Sequence, residues 1–346
     1  METILILAHV EKDAGLARAA WETLGAAKDL AAATGAKLVV GLVGENLSGA
    51  ANQIAGCGAA RFLGVEGVEF GQARYGSDVA AAEAICRAAS ATIVMAPATS
   101  RWNRVLAGLA HRLGGRVDTH VTNVTADGGS LTISRWYYRQ RMEAMMRRTQ
   151  RPWVIALEAG CHAPWKGDAG TAKIEAIKVS LPEAATRTTV TGVKAPASDQ
   201  QTIRPDAEVL FVAGAGWTKK QADGRTHAPE AESLIRGFLQ HTKASLGSSK
   251  SLVDLSKDGQ AVLTLMTHLN QVGQTGSTPR HPKGLSTCCH GEEPHAVGWR
   301  FISERRAVNL DPNCGWARGK ADVLYVADAF EVMRKVNALL AAKTGK

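Results

Sequence analysis

Gln271-Val272-Gly273-Gln274-Thr275-Gly276 brackets an amide and a hydroxyl between two glycines, offering hydrogen-bond donors to a phosphate or to the edge of a heteroaromatic ring. A polar turn would use the same residue types. Gly214-Ala215-Gly216 follows the apolar run 209–212 and removes two Cβ atoms where backbone could approach a phosphate or a flat ring. The G-x-G-x-x-G dinucleotide fingerprint is incomplete, because Lys219 stands at its third glycine, and many strand-to-helix turns carry two glycines for steric reasons alone. Ala307-Val308-Asn309-Leu310-Asp311-Pro312 reads as a strand ending in polar residues, and ligands of open α/β sheets gather outside the carboxyl ends of strands.

Cys288-Cys289-His290-Gly291-Glu292-Glu293-Pro294-His295 gathers thiols, imidazoles and carboxylates that could ligate a metal. Adjacent cysteines seldom both reach one ion, and no C-x-x-C knuckle orients them, so a reshaped ligand loop is the better reading and no metal site is assigned. Cys314, near Trp316, reads as a small packing residue.

The elements that must position these residues alternate between strand and helix. Residues 4–10 form a continuous apolar run suited to a buried parallel strand, and 13–33 have helical spacing. Further strands at 38–43, 61–65 and 92–96 alternate with helices at 47–55, 78–89 and 105–113, which implies a parallel α/β sheet. Shorter β-like stretches at 117–124, 131–138, 153–157 and 173–179 suggest antiparallel additions to that sheet. Residues 182–205, rich in Thr, Ser, Ala and Pro, read as a linker between a domain over 1–190 and one over 206–346. A fresh strand at 209–212 and a helix at 229–241 open a second α/β unit.

Composition bounds what such a chain can be. The 346 residues suffice for two cores, and 45% hydrophobic with 21% charged residues excludes disorder as the dominant state. No run approaches the roughly 18 apolar residues a membrane span needs, so no stable membrane insertion is expected. The first strand-like run begins at Ile4, which leaves no room for a targeting segment, and six cysteines without a C-x-x-C suit a reducing compartment, so the expected location is cytoplasmic. The balance of 41 basic and 32 acidic residues, +9, favours acidic partners. Its densest expression interleaves Arg135, Arg139, Arg141, Arg147, Arg148 and Arg151 with Trp136, Tyr137 and Tyr138. No nucleic-acid module surrounds that strip, so it reads as a solvated basic face or a protein-docking edge, and nucleic acid is not expected as a partner.

Taken in order, the C-terminal segments resemble the α-subunit of the electron-transfer flavoproteins. That family's pattern runs through G-G-R-G, S-R-x-x-x-D, Q-V-G-Q-T-G, G-I-S-G-A-x-Q-H-L-A-G-M, A-I-N-K-D-P and A-D-Y-G-x-V-x-D. This chain answers with 213–216, Ser249-Lys250-Ser251-Leu252-Val253-Asp254, 271–276, 288–299, 307–312 and 321–328. Nineteen positions separate Gly276 from His295 and fourteen separate His295 from Asn309, as in the family. Ile4-Leu5-Ile6-Leu7-Ala8-His9 and Gly56-Cys57-Gly58-Ala59 extend the similarity to the N-terminal half.

The resemblance implies an N-terminal nucleotide-hydrolase-like parallel-sheet domain, serving as docking platform for a β-subunit, followed by a doubly wound FAD-binding α/β domain. It implies an electron carrier rather than an enzyme with its own substrate, paired with the electron-transfer flavoprotein β-subunit, taking electrons from a flavin dehydrogenase and passing them to a quinone-linked oxidoreductase. By carry-over, Ser249 and Lys250 would face the flavin ring, Thr275 would reach its N5 region and His295 its O2 side. Val272, Gly273, Gln274 and Gly276 belong to the same binding turn, and His290, Gly291, Glu292, Glu293, Pro294, Asn309, Asp328 and Ala329 would hold the rest of FAD. Ala215 and Lys250 stand where the family has arginines, so a planar bidentate cation is replaced by one point charge. Residues 288–295 keep only the family's second glycine and last histidine, and about eight extra residues fall within 255–270. The alternative is an FAD-free structural or regulatory subunit of a dehydrogenase complex, or a nucleotide- or metal-binding variant at that altered loop.

Overall fold

The structure, a computed structural model, describes residues 2–127, 130–138, 142–192, 203–204, 207–254, 262–273, 280–288, 302–314 and 321–344. The chain divides into two compact units, the first over Met1–Tyr138 and Met142–Val193, the second mainly over Lys194–Lys346.

Unit 1 strings together β1 (Thr3–His9), α1 (Arg18–Thr34), β2 (Lys37–Gly44), α2 (Ser48–Gln53), β3 (Arg61–Glu66), α3 (Val68–Gly71), α4 (Tyr75–Ala89), β4 (Ile93–Pro97), α5 (Ser100–Asn103) and α6 (Leu106–Arg112). It continues through β5 (Arg116–Asp127), β6 (Ser130–Tyr137), β7 (Met142–Met146), β8 (Trp153–Leu157), β9 (Ile174–Ala176) and α7 (Glu183–Thr186). One nine-stranded sheet results, in the order β7-β6-β5-β8-β4-β1-β2-β3-β9, parallel from β5 to β9 and antiparallel across β5-β6-β7. The continuous apolar run of β1 is explained by its central place, since alternate side chains enter different cores. Ile4, Ile6 and Ala8 pack with Leu24 and Leu30 of α1, while Leu5 and Leu7 pack with Val79 and Ile85 of α4 and Leu109 of α6.

Two expectations need correction here. The first helix begins at Arg18 rather than near 13, because residues 11–15 close a turn in which Asp13 Oδ1 accepts from the Gly15 N–H at 3.1 Å and Val10 bridges to Leu16. The other concerns the stretch between the expected strands 131–138 and 153–157, where no element was expected: Met142–Met146 is a strand that pairs antiparallel with β6.

The basic strip is also less solvated than its composition suggested. Asp118, fully buried on β5, accepts from Arg135 Nη1 at 2.9 Å, Arg148 Nε at 2.5 Å and the Trp153 indole N–H at 2.8 Å. Arg147 donates to Thr132 Oγ1, and Arg151 pairs with Glu2. Arg135 and Arg148 therefore tie the antiparallel extension to the parallel part of the sheet, Arg151 ties the approach to β8 to the chain's start, and Arg147 fastens the end of β7 to β6.

Unit 2 contains β10 (Val209–Ala213), α8 (Ala228–Thr242), β11 (Ser245–Ser248), α9 (Lys250–Asp254), β12 (His281–Thr287), β13 (Ile302–Asn309), β14 (Val323–Val326) and α10 (Ala329–Thr344). Its five strands are all parallel, in the order β11-β10-β12-β13-β14. Ile235 and Phe238 of α8 and Phe330 and Met333 of α10 cover one face over Phe211 and Leu246. Leu210, Val212, Val272 and Ile302 form the core of the other face. The α/β two-domain class is as the sequence implied.

Asp118 generates a pH prediction. Burial pushes its carboxyl up, but hydrogen bonds from Arg148, Trp153 and Arg135 outweigh that and hold it below the ordinary carboxylate value. A group depressed in the folded state stabilises above its unfolded pKa, near 3.9, and loses that contribution as pH falls through the folded value. Asp118→Asn should destabilise unit 1 by about 3 kcal/mol at pH 7, at the low end for a broken buried pair because both arginines keep some solvent contact. Urea unfolding at pH 7 and pH 3 should show the difference between variant and wild type shrinking at the lower pH.

Candidate functional site

In unit 2 the strand order reverses at β10, which has β11 on one side and β12 on the other. Such a reversal opens a crevice outside the carboxyl ends of the strands. The turn after β10, a short 3-10 helix over Ala215–Thr218, is fastened across that reversal: Gly214 N donates to Thr287 O at 2.8 Å and Gly216 N to Cys288 O at 3.0 Å. Trp217, fully buried in the same turn, donates its indole N–H to Thr287 Oγ1 at 2.8 Å and packs on Phe330. Cys288 has φ +57°, a left-handed backbone that side-chain-bearing residues adopt only under constraint.

On the β11 side, Ser249 N donates to Ala213 O at 2.8 Å and Ser249 Oγ accepts from Leu252 N at 3.3 Å, so this serine begins α9 and leaves Lys250 exposed on its first residue. Val272 N donates to Ser248 O at 3.1 Å, which docks the 271–273 turn beside the end of β11. The Val272 side chain is fully buried in the core, and Gly273 takes φ +73°, where a glycine is needed. Ser248 Oγ is buried without a hydrogen-bond partner among the described residues, a polar atom that an incoming ligand group could satisfy.

On the far side, Asn309 Oδ1 accepts from Asp311 N at 3.0 Å, holding the end of β13 in a tight turn. Asp328 Oδ1 accepts from Phe330 N at 2.7 Å and Glu331 N at 3.1 Å and so caps α10, whose first residue is Ala329. A small cavity opens among Gly216, Gln221, Cys288, Asn309, Asp328 and Ala329. The structure thus brings Ala215, Ser249, Lys250, Val272, Gly273, Asn309, Asp328 and Ala329 to one edge of one sheet. Gln274, Thr275, Gly276 and the stretch from His290 to His295 lie outside the described residues.

Unit 1 has a reversal of its own, between β1 and β4, and there the sequence reading missed a cleft of about 1430 Å³. Its walls come from the ends of β1, β2, β3 and β4, with Lys12 and Glu45 at its exposed mouth. His9, the last residue of β1, stacks on the fully buried Trp102 with ring centroids 3.9 Å apart. Its Nε2 lies 3.6 Å from Asp78 Oδ1, beyond hydrogen-bond reach, and neither this nitrogen nor Trp102 Nε1 has a hydrogen-bond partner among the described residues. Asp78 is instead clamped by Arg101, at 2.9 and 2.7 Å, and Arg101 also donates to the carbonyls of Phe70 and Gln72. The available sequence signal was a lone histidine closing a run of apolar strand residues.

Comparison with known proteins bears on this frame directly. The Electron transfer flavoprotein domain model matches residues 4–184, more than half of the chain. The chain belongs to the electron-transfer flavoprotein family. The matched residues take in the nine-stranded sheet from Ile4 onward and the lining of the cleft above β1 and β4 apart from Val190, Thr191 and Gly192. No curated protein matches the chain. Among the described residues, no helix is long and apolar enough to cross a membrane.

His9 makes the electron-transfer flavoprotein domain sensitive to acid. Burial lowers its pKa to about 4 from 6.5, with Asp78 opposing and Arg101 reinforcing the shift. The unfolded chain therefore takes up this proton first, so stability falls as pH drops through 6.5 and the loss is complete near 4. His9→Phe, which keeps a ring against Trp102, should remove roughly 3 kcal/mol of that pH dependence. Thermal unfolding of both proteins between pH 7 and pH 4.5 measures it.

Proposed function

We propose that the chain is the FAD-binding α-subunit of a heterodimeric electron-transfer flavoprotein. The carrying observation is the convergence, on the carboxyl edge of the unit 2 sheet, of the described residues from family-like segments scattered over more than a hundred positions. The fit is supported by the glycine-bordered turn at 214–216, the Ser248 Oγ unsatisfied among the described residues, and two capping residues, Ser249 at the β11 side and Asp328 beside the small cavity, that fix the loop ends. FAD, when bound, supplies the ring that takes up and gives back electrons. The chain's own part is to bind and orient it and to set its electrostatic surroundings: Ser249 and Lys250 by the ring, with Thr275 and His295, and Gln274, Asn309, Asp328, Ala329 and the 290–294 stretch along the ribityl and adenosine parts. The proposed partners are a β-subunit, a flavin dehydrogenase as donor and a quinone-linked oxidoreductase as acceptor.

Two substitutions within the family pattern shape this reading. Ala215 is fully buried where the family has an arginine, so the positive charge offered to the ring rests on Lys250, a point charge without a planar fork. Replacement of the 288–295 pattern is what favours the rival reading of a subunit without FAD, or with another nucleotide.

Co-expression with the β-subunit should yield a 1:1 complex with visible flavin absorbance, and expression alone should yield poorly soluble or FAD-poor protein. A stable complex with no flavin would select the rival reading, and an FAD-replete monomer would remove the obligate heterodimer. In the complex, Lys250→Ala should lower the flavin midpoint potential while Lys250→Arg maintains it, because a nearby cation favours the more negative, reduced ring. The expected effect is about 0.5–1 kcal/mol, the range of a partly screened charge pair. Redox titration followed by absorbance measures it, and equal potentials in all three proteins would remove Lys250 from the ring.

A further inference from the structure

After β9, the chain runs back over unit 1 in two stretches held in different ways. Ile177, Val179 and Leu181 are partly buried against the core that contains α4 and α6. Beyond Leu181 only Ala185 and Thr186 keep partial burial. Pro182–Glu183–Ala184 and residues 187–192 are exposed, and α7 has no buried residue. What holds this second stretch is polar and comes largely from one side chain. Arg74, itself 5% exposed, donates from Nη1 to the carbonyls of Thr186 and Thr188 at 3.4 and 3.3 Å, while its Nη2 is fixed by Glu69. Gln72 Oε1 accepts from Val190 N at 3.5 Å. These are long hydrogen bonds, at the weak end of the range.

A second contact is steric. Gly76, in the first turn of α4, lies so close to Ala185 that a Cβ there would fall 2.5 Å from its carbonyl oxygen. The chain end so held is not idle, because Val190, Thr191 and Gly192 supply one wall of the cleft above β1 and β4. Closing that wall and anchoring the connection to the rest of the chain are therefore the same act.

We propose that residues 183–192 are a releasable strap, clamped by Arg74 and seated on Gly76, that closes one wall of the unit 1 cleft and holds back the start of the connection into unit 2. A segment with few buried apolar contacts and weak hydrogen bonds belongs to the low-stability end of a fold and opens without global unfolding. Release would open the cleft on that side and add ten residues, roughly 33 Å of fully extended chain, to the connection.

Two variants reach the strap by independent routes. Arg74→Ala removes the clamp. Gly76→Ala pushes the seat away, yet alanine favours helix over glycine, so it does not weaken α4 through propensity. Arg187 lies within the strap and is a trypsin site. In the full chain, both variants should be cut after Arg187 about tenfold faster than wild type, as expected for losing one or two modest hydrogen bonds. Hydrogen exchange at the Val190 amide should accelerate in parallel, while amides of α4 and β4 keep wild-type protection. Unchanged cleavage in either variant would overturn the proposal. So would loss of α4 protection alongside the strap in both, because Arg74 and Gly76 would then serve only to hold that helix together.

Discussion

A parallel sheet returns its chain through a crossover after every strand, so the carboxyl ends of all its parallel strands lie along the same edge. That constraint is what the chemistry of this protein depends on. In unit 2 it collects the ends of β10, β11, β12, β13 and β14 on one edge, and the reversal of order at β10 leaves a gap there. Hydrogen bonds from Gly214 and Gly216 to the end of β12 then hold the gap's rim in place, and Trp217 wedges the rim against α10. The proposed flavin site is thus an outcome of strand order, with side-chain identity deciding only how the edge is used.

Electrostatics plays a different part in each region. Around Asp118 it is structural, since one buried carboxylate accepts from Arg135, Arg148 and the Trp153 indole and so joins β5 to β6, to the segment after β7 and to β8. Below the unit 1 cleft, Asp78 satisfies Arg101 while burial keeps His9 neutral, and His9 Nε2 and Trp102 Nε1 form a polar floor without hydrogen-bond partners among the described residues. In unit 2 the carboxylate of Asp328 and the hydroxyl of Ser249 are committed to helix starts, which fixes loop ends.

Much of this was legible in the sequence because buried parallel strands must be apolar on both faces. Residues 4–10, 38–43 and 92–96 announce themselves as strands for that reason, and the glycines of 271–276 mark a segment whose described part, 271–273, docks beside the end of β11. What was not legible depends on distant partners. Met142–Met146 lacks β-branched residues and becomes a strand only by pairing with β6. The arginine strip looked solvated because its counter-charge, Asp118, is up to thirty positions away. Asp13 looked like part of a helix, but its side chain is used within a turn. The unit 1 cleft is assembled from the ends of four strands and from 190–192, and no local pattern could reveal it.

The central claim is that FAD is held at the carboxyl edge of the unit 2 sheet. Hydrogen exchange of the heterodimer, stripped of flavin and then reloaded with FAD, tests it most directly. The account predicts FAD-dependent protection of amides in 214–216, 248–250, 271–273 and 328–331. Protection confined to the unit 1 cleft, around Val10, Asn46 and Thr99, with the unit 2 edge unchanged, would contradict it.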